Sequence, residues 1–160
     1  MSRYHSDNRI TNAQQNITTT VKTQVQIWSA TATLRRGRAV ALQVGPDGAP
    51  NATDCQIVYS VQRATADGTS TVFVPQPTFP GDVASSMVAH NAYTAEGTYG
   101  TAGVSIWSRS LNQRASMQWA AQDDQAMLLW PATNLAGLAL LALSPTYAGN
   151  VLYGMEHEDL

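Results

Sequence analysis

Two-residue periodicity is the feature that most restricts what this chain can become. Val21, Thr23, Val25 and Ile27 alternate with Lys22, Gln24 and Gln26, and Cys55, Ile57, Tyr59 and Val61 alternate with Asp54, Gln56, Ser60 and Gln62. Successive side chains of an extended strand point to opposite faces, so these stretches read as half-buried strands. Glycine and proline break the pattern at "GPDGAPN" (45–51), "PQPTFPG" (75–81), "AEGTYGTAG" (95–103) and "SPTYAGN" (144–150). Such breaks end strands and start turns. No segment sustains a helical period or a heptad. The pattern predicts an all-β chain of eight to ten short strands folded as an antiparallel, jelly-roll-like β-sandwich.

The most apolar run, "LAGLALLAL" at 135–143, is nine residues long. A spanning helix needs roughly 20 apolar residues, whereas a strand buried on both faces needs only about 4–8. The run is therefore expected as a central strand, with the final strand after "SPTYAGN" as its partner; a helix over 133–142, which Ala and Leu favour intrinsically, is the alternative. "RRGR" (35–38) reads as a turn centred on Gly37, and "ADGT" (66–69) as a hairpin turn into "STVFV" (70–74). "DVASSMVAHNAYT" (82–94) reads as an irregular strand, and "VSIWSRSLN", "RASMQWAA" and "AMLLWP" as further short ones. Residues 1–20 hold only Ile10 and Ile17 as sizeable aliphatics after Met1. They are expected as a flexible N-terminal arm leading into one sandwich domain, 21–160.

Charged residues make up 12% of the chain, about half the usual share of ~25%. The surface must be covered by Thr, Ser, Gln and Asn, and a β-branched hydroxyl residue suits the solvent face of a strand. A net charge of −2 gives no general field for phosphate backbones or anionic lipid, so neither nucleic acid nor membrane is an expected partner. The basic residues are eight Arg and a single Lys, Lys22. Arg makes planar, bidentate contacts to carboxylates, which points to protein partners. Cys55 is the only cysteine, so no intrachain disulfide forms and a small buried role is expected. The N-terminus carries no apolar signal core, and the expectation is synthesis and retention in the cytosol unless the protein leaves inside an assembly.

No residue pattern asks for catalysis, and no cofactor or metal is expected. Glu156-His157-Glu158 resembles a ligand cluster, but in a strand His157 points away from both glutamates, so a solvated strand end is expected. Asp123-Asp124 reads as a turn that uses its own backbone for hydrogen bonds. His5, His90 and His157 are scattered in sequence, and Cys55 has no charged neighbour to activate it. Trp107, Trp119 and Trp130 fall in apolar strands and are expected in the core. Trp28 shares the face of Lys22, Gln24 and Gln26, so it either turns inward through a bulge or meets another chain. Arg35, Arg36 and Arg38 form the densest basic cluster and are candidates for gripping a carboxylate-bearing neighbour.

"VSIW" (104–107), "NQRASMQWAA" (112–121), "LLWPATN" (128–134), "GLALLAL" (137–143) and "YAGNVLYGMEHED" (147–159) together resemble small jelly-roll proteins of tailed bacteriophages that decorate or cement the capsid. The resemblance covers roughly a third of the chain and implies a non-enzymatic virion protein, commonly a homotrimer, that binds the major capsid protein. It also implies an N-terminal arm reaching neighbouring subunits, whose anchors here would be Arg3, Tyr4, Arg9, Ile10 and Ile17. With Trp28, Arg35, Arg36 and Arg38 these are the expected contact residues. The alternative expectation is a virion-associated module that recognises a receptor or carbohydrate through exposed tryptophans.

Overall fold

In a computed structural model the described residues are 2–9, 14–100, 104–123 and 128–160, and they form thirteen strands and no helix. One six-stranded sheet runs in the order β10 (Met117–Ala120), β3 (Gly37–Pro46), β13 (Val151–Asp159), β1 (Arg3–Asp7), β6 (Gln76–Pro77), with β11 (Leu128–Trp130) also on β3. A seven-stranded sheet runs β5 (Thr69–Phe73), β7 (Met87–Ala95), β2 (Lys22–Ser29), β12 (Gly137–Leu143), β4 (Gln56–Ala66), β8 (Thr98–Tyr99), with β9 (Trp107–Asn112) on β4. Every pairing is antiparallel. Ile27, Val61, Leu138 and Leu140 of the second sheet share one core with Leu42, Val44, Val151 and Met155 of the first. Tyr59 and Tyr153 meet edge-to-face across the layers at 5.6 Å, and the Tyr153 hydroxyl donates to the Ser60 carbonyl at 3.1 Å. The all-β sandwich expected from periodicity is thus the observed architecture.

The apolar run is the middle strand of its sheet. β12 lies between β2 and β4, with Leu138, Leu140 and Ala142 in the main core and Ala139 and Leu141 buried on the opposite face. Its expected partnership with the last strand is not formed. "SPTYAGN" carries the chain across to the other layer, where β13 pairs with β3 and β1. The same burial on both faces extends to β2, whose Gln24 and Gln26 are enclosed rather than solvated as the half-buried reading implied.

What covers the second face is a corner, and here the expected hairpin gives way. β4 does not pair with β5. Instead β4 continues through Asp67-Gly68 into β5, and β7 continues through Glu96-Gly97 into β8. The two bent strands form one ladder, Ala64↔Tyr99 and Ala66↔Thr98 before the bend, Thr69↔Ala95 and Phe73↔Ala89 after it. A Cβ on Gly68 would lie 2.0 Å from the Ala95 carbonyl oxygen, and one on Gly97 would lie 2.7 Å from that of Ala66. Only glycine lets two backbones cross this closely. Asp-Gly reads equally as a hairpin turn or a corner, and the matching glycine 29 positions on decides between them.

Gly37 likewise belongs to a strand, not to the expected turn. A Cβ there would meet the Trp130 ring at 2.1 Å, so the missing side chain lets the indole lie flat on β3. The expected arm is also displaced. Arg3–Asp7 pairs along its whole length with β13, from Arg3↔Glu158 to Asp7↔Gly154, and meets β6 on its other side. Tyr4 and Ser6 are buried, and Ile17 is in the core, bridged to Gly149. Asn8 fixes the end of the strand by donating to Gln24 Oε1 at 2.8 Å and to the Val151 carbonyl at 2.7 Å, while its Oδ1 accepts from the Tyr153 amide at 3.1 Å. Polar side chains hide this strand's pattern, because its order comes from ladder bonds and side-chain hydrogen bonds rather than from apolar area.

Candidate partner-binding surface

Two clusters of ionisable side chains lie at the corner and at the end of β13. At the corner, Asp67 Oδ2 lies 2.8 Å from His90 Nδ1, Ser70 Oγ lies 2.9 Å from the same nitrogen, and the Tyr93 hydroxyl donates to Asp67 Oδ1 at 2.9 Å. Ser, His and Asp are therefore together, though the sequence scattered them. A nucleophilic relay needs the serine on one ring nitrogen and the carboxylate on the other. Here both compete for Nδ1, and the ring itself is stacked on Trp28 at 4.4 Å. Burial lowers the His90 pKa against the opposing pull of Asp67. The set is a structural brace for the bend.

Glu96 completes the corner. Burial raises its pKa, but hydrogen bonds from the Thr23 hydroxyl and amide, then from Gln15 and Tyr99, outweigh that and hold it below the usual carboxylate value. Gln15 Nε2 donates to it at 2.6 Å and Lys22 Nζ lies 3.4 Å away. An ionised carboxylate held by this many donors ties residues 14–23 to the corner.

The second cluster surrounds the end of β13. Arg38 Nε donates to Glu158 Oε2 at 2.8 Å, and Arg3 reaches Glu158 at 3.2 Å and Glu156 at 3.8 Å. His157 points the other way, as alternation predicts, and is fully buried between Tyr4 and Trp130 with ring centroids at 5.5 and 5.9 Å. Neither ring nitrogen has a hydrogen bond, and Asp159 Oδ1 at 3.8 Å is out of reach. Burial, then the neighbouring His5, push the His157 pKa down to about 3. The end of this strand is interior, not the solvated tip expected. Among the described residues no three metal-binding side chains converge.

Placed in the structure, the expected contact residues separate. Tyr4, Ile17 and Trp28 are core, and the Tyr4 hydroxyl donates to the Val83 carbonyl at 3.0 Å. Arg3 and Arg38 are held by Glu158, and Arg9 meets Asp47 at 3.4 Å. Ile10 and Asp124 lie outside the described residues. Arg35 and Tyr4 border a small cavity with Asp159, and Arg36 borders a larger one. Trp28, Trp107 and Trp130 are buried and Trp119 is partly buried against the core, so no open indole platform is presented. Cys55 is buried and its thiol donates to Gln113 Oε1 at 3.1 Å.

A surface that the candidate residues missed lies between positions 72 and 83. Val72 is 59% exposed, Val74 52%, Phe79 66% and Val83 74%. This segment leaves the edge of one sheet at β5 and enters the edge of the other at β6. Pro75, Pro77 and Pro80 interrupt it. Proline withholds the amide that would extend a ladder, so the edge is guarded against strand addition while its apolar side chains stay outward. The sequence signal was there, four apolar residues around a proline-rich loop.

No protein-family model, curated protein or solved structure matches the chain. No helix among the described residues is long and apolar enough to cross a membrane.

Proposed function

We propose that the chain is a non-enzymatic structural protein that binds the outer surface of a phage capsid, self-associates as a homotrimer and stabilises the shell. The observation that carries the reading is the exposed apolar segment Val72–Val83, set between the edges of the two sheets of the sandwich. Clustered exposed apolar side chains mark association surfaces, and a proline-guarded edge admits side-chain docking without runaway strand pairing. The resemblance of residues 104–159 to jelly-roll decoration proteins supplies the kind of partner, the major capsid protein. Copies that bind the assembled shell but not its separated subunits favour the intact shell by RT ln(1 + [L]/Kd) per site. Docking falls to the 72–83 segment, since Tyr4 and Ile17 of the expected arm are packed inside.

Co-sedimentation with purified, undecorated capsids tests this. The wild-type protein is expected to pellet with the shells and the Val74→Asp/Phe79→Asp variant to stay in the supernatant with an unchanged melting temperature. Failure of the wild type to pellet, or equal pelleting of the variant, contradicts the reading. Analytical ultracentrifugation of the free protein checks the trimer.

A further inference from the structure

A cavity of about 530 Å³ opens beside β11 and the ends of β4 and β12. Its wall is apolar, with Leu129, Trp130, Pro131 and Ala64, and Arg36 and Arg63 border it. Arg63 is braced by donating to the Leu129 carbonyl, which anchors β11 across the gap and fixes one edge of the trough. Trp130 is seated against the bare backbone of Gly37 and donates its indole N–H to Met87 Sδ at 3.4 Å, so the floor is rigid.

The arginines of this cavity differ from most of the others. Arg3, Arg9, Arg38 and Arg114 each meet a carboxylate, and the Arg109 guanidinium lies over the Trp107 ring. No carboxylate among the described residues pairs with Arg36 or Arg63. Two guanidinium groups beside an apolar concavity are complementary to an anion that carries an apolar body. A cavity of this size lies in the ~300–1,000 Å³ range that encloses small ligands, and guanidinium recognises carboxylate in a planar, two-bond geometry.

We infer that this trough is a binding site for a small amphipathic carboxylate, an aryl or short acyl group ending in one carboxylate, with the apolar body against Trp130 and Leu129 and the carboxylate at Arg36 and Arg63. The inference stands apart from the capsid reading, because it uses a different face and no residue of the 72–83 segment.

The probe is 4-phenylbutyrate, titrated into the ¹⁵N-labelled full chain and followed by NMR, with the neutral 4-phenylbutyramide as control. Saturable shifts are expected at Arg36, Arg63, Leu129 and the Trp130 indole, with binding of the amide about tenfold weaker, the scale of one charge-assisted contact. Arg36→Gln, at an exposed position, should weaken phenylbutyrate binding by about the same factor and leave the melting temperature unchanged. Arg63→Lys keeps the charge but loses the fork, and should also bind less tightly. No saturable shift, equal binding of acid and amide, or unchanged affinity in Arg36→Gln overturns the assignment. So does binding confined to a peptide with a C-terminal leucine, which would give the trough to a polypeptide.

Discussion

β12 and β1 are both interior strands, each flanked on both sides within its sheet, yet their sequences share nothing. β12 is GLALLAL, with each residue from Gly137 to Ala142 buried, and its place is set by apolar area removed from water on two faces. β1 is RYHSD, with one large apolar side chain, and its place is set by the ladder to β13, by Arg3 on Glu158 and by the Asn8 brace that follows it. The contrast teaches that centrality in a sheet and hydrophobicity are separable. One strand is central because it avoids water, and the other because ladder bonds and side-chain pairs hold it there.

Breaking β1 should have the largest effect. Deleting residues 2–9 strips β13 of a partner and exposes Tyr153 and His157, and urea unfolding followed by tryptophan fluorescence is expected to lose its single cooperative transition. Retention of a wild-type transition would return the segment to the role of an arm. Next in size is Leu140→Ala in β12, expected to cost about 2–5 kcal/mol in urea unfolding because its cavity cannot collapse within a strand packed on both faces.

Acid sharpens the comparison from the side of β13. His157 is neutral when folded, with its pKa lowered from the ordinary 6.5 to about 3. A depressed folded pKa means the unfolded chain takes up the proton first, so stability is full above pH 6.5 and falls as pH drops from 6.5 towards 3. Protonation faces Asp159 at 3.8 Å and His5, which do not repay the buried charge. About 2 kcal/mol should be lost by pH 5, and His157→Phe should flatten that part of the profile measured by urea unfolding. The smallest effect is Arg9→Ala. Its pair with Asp47 is exposed, and the melting temperature should move by no more than the equivalent of about 0.5 kcal/mol.

The layers were legible in the sequence because apolar alternation records which face is buried, and Val25, Ile27, Ile57, Tyr59 and Val61 all sit where it placed them. The apolar run was legible as a central strand for the same reason. What periodicity does not encode is partnership. Asp67-Gly68 carries the same local signal whether the chain folds back or bends, so the corner and the pairing of β5 with β7 needed the long-range fact of Gly97 crossing it. β1 was hidden because Tyr4 and Ser6 alternate with Arg3, His5 and Asp7 at too little hydrophobic contrast. The same limit applies to the candidate contact residues. Charge marked Arg3 and Arg38 as contact candidates, whereas Glu158 pairs with both, and of the two readings open for Trp28 the inward one is observed, with its ring stacked on His90.

Amide hydrogen exchange of the intact chain tests the claim that the first strand is structural. Amides across Arg3–Asp7 are expected to exchange in the same slow class as those of Leu138–Leu141, through a shared global opening. Exchange of Arg3–Asp7 at the rate of an unstructured peptide, while β12 remains protected, would contradict it.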